Sequence, residues 1–483
     1  MFRLQRYHGP CYTELMQLNP YIFRGYDIRG VVGQDIDEET FYLLGRGYAT
    51  FLTERRIKLC PVGRDNRKSS QSLSKQFIRG LNDGGIDTID IGLSLSQIVY
   101  FSSYHFLTKA CAMITASHNP KEFNGLKLGI GYSNTMSGSE IQELRKIIES
   151  GRFSIGYGES QSKNIFPYYQ KHLLKYFKLN KKWRIVVDTL NNSSGRFYPQ
   201  LFRKAGCRII TQNERMNGNF PNGTDPTDIN VLNKLGKAVL REKADIGFAF
   251  DADGDRMAVV DENGKLHWMD IVVTLFAIDV LERLPNATII YNNLCSKAVP
   301  DTIKKLGGNP LMWKTGHSFI KSKILETKAM LGGELSGHIF FMDNYFGHDD
   351  AAYACLRLLS FLENHGESLS EAASSIETHI GSPEIKLGVP DEIKFDLVEK
   401  ELKHDLVTAW PDAKVNVLDG IRLDTDDLMA VVRASQNGPY ITIRFEGKNE
   451  RIYNEVRDRL NQILGKYSII NWIDNINAYA LEK

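Results

Sequence analysis

Three related α/β domains with mixed sheets, followed by a smaller α+β domain, are predicted by three features of this sequence. One pattern recurs three times: an apolar strand, a glycine-closed helix with a second strand, and a third strand entering a polar loop. Strands alternating with helices make α/β units, and their recurrence makes related domains. Beyond residue 382 the texture shifts to short strands and one amphipathic helix. Finally, 483 residues exceed a single core, and at roughly 150 residues per domain they divide into about three or four.

The first strands of the repeats are KLCPVGRDNR (58–67), RIVVDTLNNSSG (184–195) and ATIIYNNLCS (287–296), each ending in a polar turn. The helix-and-strand stretches LNDGGIDTIDIG (81–92), LFRKAGCRIITQ (201–212) and IKKLGGNPLMWKTG (303–316) follow them. Third strands then run into CAMITASHNP (111–120), ADIGFAFDADGDR (244–256) and KAMLGGELSGH (328–338). In such sheets ligands gather outside the carboxyl ends of the strands, where these three loops fall. SPEIKLGVPDEIKF (382–395) reads as a linker. After it come the strands VNVLDGIRL (415–423), LMAVVRAS (428–435) and YITIRFEG (440–447), then the helix RIYNEVRDRLNQIL (451–464). The expected divisions are a tail over residues 1–20 and domains over 21–155, 156–262, 263–380 and 381–483.

Composition narrows the function classes. With 42% hydrophobic and 24% charged residues, the chain reads as a soluble globular protein. A net charge of +2 argues against a polyanion-binding surface, so nucleic acid is not an expected partner. Local basic clusters can still hold small phosphates. The opening MFRLQRYHGPCY has no apolar signal-peptide core, and no apolar stretch is long enough to span a bilayer, so no membrane is expected. Cys11, Cys60, Cys111, Cys207, Cys295 and Cys355 are scattered without a C-x-x-C pair. That usage fits reduced thiols in a cytoplasmic protein.

The three loops carry groups suited to phosphoryl chemistry. In T-A-S-H-N-P (115–120), Ser117 leaves an apolar strand and can accept or donate a phosphoryl group, with His118 and Asn119 to position it. Lys127 follows as a base or phosphate partner. Ordinary turn chemistry also uses such residues. In FAFDADGDR (248–256), Asp251, Asp253 and Asp255 alternate, so in an extended segment they project to one side. Converging carboxylates repel unless a hard divalent ion takes their oxygens, and Arg256 can grip an adjacent phosphate. An EF-hand starting at Asp251 would need glycine where Arg256 stands. In GELSGH (333–338), Glu334 and Ser336 can read neighbouring sugar hydroxyls, and His338 and His317 can serve acid–base work. In VVRASQNGPY (431–440), Arg433 and Ser435 with exposed backbone N–H groups form a phosphate nest, or alternatively a simple hairpin turn.

Together and in this order the loops resemble those of the α-D-phosphohexomutase family, in its phosphomannomutase/phosphoglucomutase branch, from FRGYDIRG (23–30) to RFEG (444–447). The resemblance implies four domains around a central cleft and an interconversion of hexose 1-phosphate and hexose 6-phosphate, with mannose or glucose as the sugar. It implies Ser117 as the phosphoserine, and Mg2+ held by Asp251, Asp253 and Asp255 with Ser117. Hexose 1,6-bisphosphate is then both intermediate and activator. Arg29, Lys127 and His338 join Ser117 as catalytic residues, and Tyr26, Arg256 and His317 line the reaction centre. Glu334 and Ser336 would hold sugar O3 and O4, while Arg433 and Ser435 would hold the non-reacting phosphate. The partners are hexose phosphates, and the chain is expected as a monomer or dimer.

Two departures from the branch stand out. Leu294 occupies a position where lysine is usual, with Lys297 nearby as a substitute, and Gln436, Asn437 and Gly438 alter the phosphate loop. Phosphoglucosamine mutase is an alternative within the family, against which Leu335 argues. A haloacid-dehalogenase-like phosphatase is the alternative outside it, using Asp251 as nucleophile and Asp349–Asp350 as a later acidic pair.

Overall fold

The computed structural model describes residues 18–482; residues 1–17 of the expected tail, with Cys11, lie outside them. Each repeat folds as its own sheet. The first holds β1 (Ile28–Val31), β2 (Leu59–Arg64), β3 (Asp87–Leu93), β4 (Cys111–Ile114), β5 (Phe123–Gly129) and β6 (Ser160–Ser162), in the spatial order β1-β5-β4-β2-β3-β6. The second holds β7 (Arg184–Asp188), β8 (Arg208–Gln212), β9 (Ile246–Phe250), β10 (Met257–Asp261) and β11 (Leu266–His267), ordered β11-β10-β9-β7-β8. The third holds β12 (Thr288–Asn292), β13 (Asn309–Trp313), β14 (Leu331–Gly333) and β15 (Ile339–Phe341), ordered β13-β12-β14-β15. The first two sheets thus extend to Ser162 and His267, past the divisions expected at 155 and 262.

A shared unit lies inside all three sheets. β3-β2-β4-β5, β8-β7-β9-β10 and β13-β12-β14-β15 have the same order and directions: the first strand pairs in parallel with the second and third, and the fourth returns antiparallel. Helices Ser70–Asp83, Ser194–Lys204 and Ala298–Lys305 make the first crossovers, which parallel pairing requires. Parallel strands are covered on both faces, so the sequence reads there as continuous apolar runs. Each signature loop joins the third strand of a unit to its fourth, and therefore occupies the same place in its sheet. One apolar cluster containing Met113, Val187, Phe250, Val273, Phe341 and Val431 runs through all four sheets and holds those loops in register.

The fourth sheet is antiparallel. It comprises β16 (Ile380–Gly381), β17 (Ile385–Gly388), β18 (Lys414–Asn416), β19 (Ile421–Asp424), β20 (Leu428–Ala434), β21 (Tyr440–Gly447) and β22 (Asn471–Ile476). The order is β18-β19-β20-β21-β17-β22, with β16 on β21, and helix Glu450–Leu464 covers it. Two expectations are corrected here. VNVLDGIRL is two strands, broken at Asp419–Gly420, where Gly420 turns with φ +74°; an Asp-Gly pair is a hairpin signal. The stretch 382–395 is no free linker, because it contains β17, bonded on both edges. Buried arginines fasten this sheet to the third domain. Arg422 Nη1 donates to Asn293 O at 2.6 Å and Cys295 O at 2.8 Å, and Arg444 Nη2 to Asp270 Oδ2 at 2.8 Å.

Candidate active site

The Ser117 loop is shaped by groups that lie far from it in sequence. Ser117 is buried and has φ +50°, a left-handed backbone uncommon outside glycine and a few polar residues. Arg67, in the loop that follows β2, holds it there: Nη2 donates to Ser117 O and Asn119 O, each at 2.7 Å, and Nη1 to Pro120 O at 2.6 Å and Phe123 O at 3.0 Å. Asp65 anchors Arg67 through Nε at 3.1 Å and accepts from the Thr115 hydroxyl at 2.8 Å. Arg29 adds a second brace, from Nη1 to Ala116 O at 3.0 Å and Asn119 Oδ1 at 2.9 Å, while pairing with Asp27 at 2.7 Å. Arg67→Ala should therefore lower stability by about 3–5 kcal/mol, since it leaves the buried Asp65 without its cation. A reduced denaturant midpoint measures the loss, with turnover falling in parallel.

Into this loop reaches the aspartate cluster. Ser117 Oγ donates to Asp251 Oδ2 at 2.8 Å. The convergence expected from extended backbone instead comes from a turn over 252–254, in which Gly254 has φ +72°. Oxygens of Asp251, Asp253 and Asp255 lie within 4.8 Å of one another, and all three residues are buried. The β4–β5 register sets Lys127 opposite Met113, and its ammonium bridges Asp253 Oδ2 at 2.7 Å and Asp255 Oδ2 at 2.6 Å. Burial and the neighbouring Asp253 and Asp255 push the Asp251 carboxyl well above the usual range. Against burial, Lys127 and Ser96 hold Asp253 below it, and Lys127 is in turn held above the ordinary ammonium range by Asp253 and Asp255. Asp253 Oδ1 and Asp255 Oδ1 stay buried without a hydrogen-bond partner. Buried oxygens left so are costly, and a hard divalent cation that prefers oxygen donors fits them.

The third loop comes up beside this cluster. Arg256 Nε donates to His338 Nε2 at 2.9 Å, and His338 Nδ1 lies 2.9 Å from Asp349 Oδ2. The side that accepts from Arg256 is unprotonated, which leaves the proton on the side facing Asp349. Asp350 has a different job. It caps helix Ala351–His365 through Tyr353 N at 2.9 Å and takes the Tyr169 and Tyr345 hydroxyls, so Asp349 and Asp350 form no acidic pair. His317 is buried 3.3 Å from Asp27 Oδ1 with the Tyr26 ring edge-on to it, and burial brings its imidazole down to about 4. Glu334 accepts from Gly316 N–H at 2.6 Å, and burial raises its carboxyl.

A narrow cleft joins these parts to the fourth sheet. Tyr26, Arg256, Glu334, Ser336, His338, Arg433 and Ser435, all expected from sequence, line it. Arg29, Lys127, His317 and the three aspartates stand behind that lining, with Ser117. Lys386, unforeseen, also faces the cleft and pairs with Asp225 at 2.9 Å. In the phosphate loop the amides of Asn437 and Gly438 are not free as expected; both donate to Ser435 Oγ at 3.2 Å, which leaves its hydroxyl proton for a ligand.

The sequence departures take on different meanings here. Leu294 is fully buried in the large apolar cluster and does not line the cleft. A lysine in that pose would bury its charge there. Lys297 donates to Thr425 O on the fourth sheet, so it is no substitute. Leu335 is likewise packed in the core and reads no sugar. Asn437 Nδ2 donates to Tyr26 OH at 2.6 Å, tying the altered loop to the first domain.

Comparisons with known proteins agree with this arrangement. Family models described as phosphoglucomutase/phosphomannomutase, alpha/beta/alpha domains I, II and III, match residues 20–154, 167–264 and 268–379. A phosphomannomutase/phosphoglucomutase of Pseudomonas aeruginosa is 38% identical over 447 residues, covering 92% of this chain and 96% of that protein. A phosphoglucomutase of Neisseria gonorrhoeae is 34% identical, covering 93% and 98%. The crystal structure of a phosphoglucomutase/phosphomannomutase family protein from Burkholderia thailandensis superposes with a TM-score of 0.83 at 32% identity, covering 92% of this chain and 97% of that one.

Proposed function

This chain belongs to the phosphoglucomutase/phosphomannomutase family, and from that premise we propose that it interconverts hexose 1-phosphates and hexose 6-phosphates through phospho-Ser117. The observation that carries the reading is the convergence of four loops on one cleft. His118, from the loop whose buried Ser117 bonds the aspartate cluster, lines it together with Arg256, Glu334 and Ser336, and with Arg433 and Ser435 of the fourth sheet.

In the first transfer the P–O bond to Ser117 breaks as a bond forms from phosphorus to the free sugar hydroxyl, giving a hexose 1,6-bisphosphate. His338 suits the role of base once the Arg256 guanidinium, which occupies its unprotonated Nε2 here, turns to the phosphate and frees that lone pair. Lys127, held ionised by two carboxylates, suits charge support at the Ser117 oxygen. The bisphosphate then turns end for end, and Ser117 takes back the other phosphoryl group. Asp251, Asp253 and Asp255 with the Ser117 oxygen would hold Mg2+. When bound, that ion offsets phosphoryl charge. Arg29 braces the serine loop, Arg256 faces the transferring group, and Tyr26 and His317 back the wall.

Among the described residues the five cysteines are buried and free, which fits a cytoplasmic enzyme, and no helix is long and apolar enough to cross a membrane.

Sugar choice follows from Glu334 and Ser336. If they hold O3 and O4, mannose and glucose phosphates, which differ at C2, should both react. A galactose phosphate carries O4 on the other face and leaves those groups unpaired, a defect that can cost a factor of about 10⁴. Coupled mutase assays with 1,6-bisphosphate activator test this directly. Comparable rates on galactose 1-phosphate would refute the assignment, and inorganic phosphate as the main product would favour phosphatase chemistry.

A further inference from the structure

Two grips must act together on the turning bisphosphate, the phosphate grip of Arg433 and the sugar grip of Glu334, and we propose that Asp419 is the positioning residue that couples them. The inference rests on the mutase reading above. Asp419 lies in the turn between β18 and β19, beside Gly420. A Cβ on Gly420 would come 2.4 Å from Val432 O and 2.6 Å from Arg433 Cα, so the turn is pressed against the strand that carries Arg433. From there a single carboxylate oxygen, Oδ2, accepts from Arg433 Nε at 2.8 Å and from the backbone N–H of Thr315 at 2.9 Å. The next amide, Gly316 N–H, donates to Glu334 Oε1 at 2.6 Å. A path of hydrogen bonds, joined by the covalent Thr315–Gly316 backbone, thus runs from the phosphate end of the cleft to the sugar end. Asp419 itself does not line that cleft.

Each bond in the chain has a consequence. Fixing Arg433 at Nε leaves both terminal nitrogens, which have no hydrogen-bond partner among the described residues, as an oriented fork for phosphate. Fixing Thr315 N–H sets the strand end from which Gly316 meets Glu334. Gly316 has φ +135°, and a Cβ there would meet the Tyr26 ring at 2.5 Å, so this segment has little freedom of its own. The distance between the grips is therefore set by one carboxylate that bonds Arg433 directly and reaches Glu334 through the Thr315–Gly316 backbone. A bisphosphate held at one phosphate and at its ring stays in the cleft while the other end lets go. Grips that drift independently release it.

Asp419→Asn keeps the shape and one acceptor while removing the charge. The Michaelis constants for hexose 1-phosphate and hexose 6-phosphate should rise about tenfold with kcat changed by no more than about twofold, the split expected when binding but not chemistry is disturbed. Phosphorylated enzyme given substrate without added activator should release more free hexose 1,6-bisphosphate per turnover. In an Arg433→Ala background the asparagine should raise KM less than it does alone, because only the Thr315 arm is left to lose. Bisphosphate release should still increase there, through the separate Thr315 bond. Wild-type KM and release in Asp419→Asn, or KM effects that simply multiply in the double variant, would overturn the proposal. Should the variant not fold, hydrogen exchange on the wild type decides: amides of residues 314–316 and 421–435 should gain protection together on adding hexose 1,6-bisphosphate, and protection of one segment alone would overturn it. A wild type that forms no bisphosphate at all removes the mutase reading instead, which the same assay records separately.

Discussion

Ser117→Ala is expected to fold normally and to lose at least about 10⁴-fold in turnover, the scale on which removal of a covalent carrier acts. Folding should survive because the features that hold the loop are carbonyls and neighbours rather than the hydroxyl. Arg67 grips the backbone oxygens of Ser117 and Asn119, and Thr115 Oγ1 accepts from the Ser117 N–H at 2.8 Å. What disappears is the hydroxyl bond to Asp251 and a long contact of 3.4 Å to His118 Nδ1. Turnover should collapse because among the described residues no other hydroxyl bonds Asp251; the buried Ser96 hydroxyl is engaged on Asp253 instead, at 2.6 Å. Mass spectrometry of freshly purified wild type, or of protein treated with hexose 1,6-bisphosphate, should locate phosphate on Ser117 and find none in the alanine variant. Phosphate on Asp251 would instead make the aspartate the nucleophile and turn the site into a phosphatase.

Removing the divalent ion should have an effect of similar size, lowering turnover by about 10³-fold or more, with recovery on adding magnesium. Three buried carboxylates stand together, and Lys127 and Arg256 are the nearby cations, at 2.6–2.7 Å and 3.9 Å. Further positive charge is therefore favoured even before phosphate arrives. A second readout needs no catalysis: the unfolding temperature should climb with magnesium concentration by mass action. Asp253→Asn and Asp255→Asn should flatten that rise, because each removes a charge from a carboxylate whose Oδ1 has no hydrogen-bond partner. Full activity in excess chelator, together with an unfolding temperature indifferent to magnesium, would dismiss the ion.

How much of this was legible before the coordinates depended on range. Crossover units, their repetition and the loops after each third strand are written in short windows, because strand and helix periods and glycine turns are local properties. Ser117 and the three aspartates could be picked out for the same reason: a polar cluster directly after a buried strand is visible within ten residues. The Asp-Gly turn inside VNVLDGIRL was equally local and still passed over, since the apolar residues on both sides read as one strand.

Local pattern was enough for the three-plus-one architecture, the Ser117 loop and the acidic loop. What holds them is set by contacts between distant segments. Arg67 reads as the end of a strand until it is found gripping carbonyls 50 and 52 residues away. Leu294 reads as a lost lysine until it is found in the core, and Asp419 as the middle of a strand until its one oxygen is found bonding β20 to the Thr315 backbone, whose next amide holds Glu334. Such partners meet through sheet order and domain packing. Charge-assisted hydrogen bonds and burial act over a few ångströms in space, and one chain offers many residues of each type that could supply them.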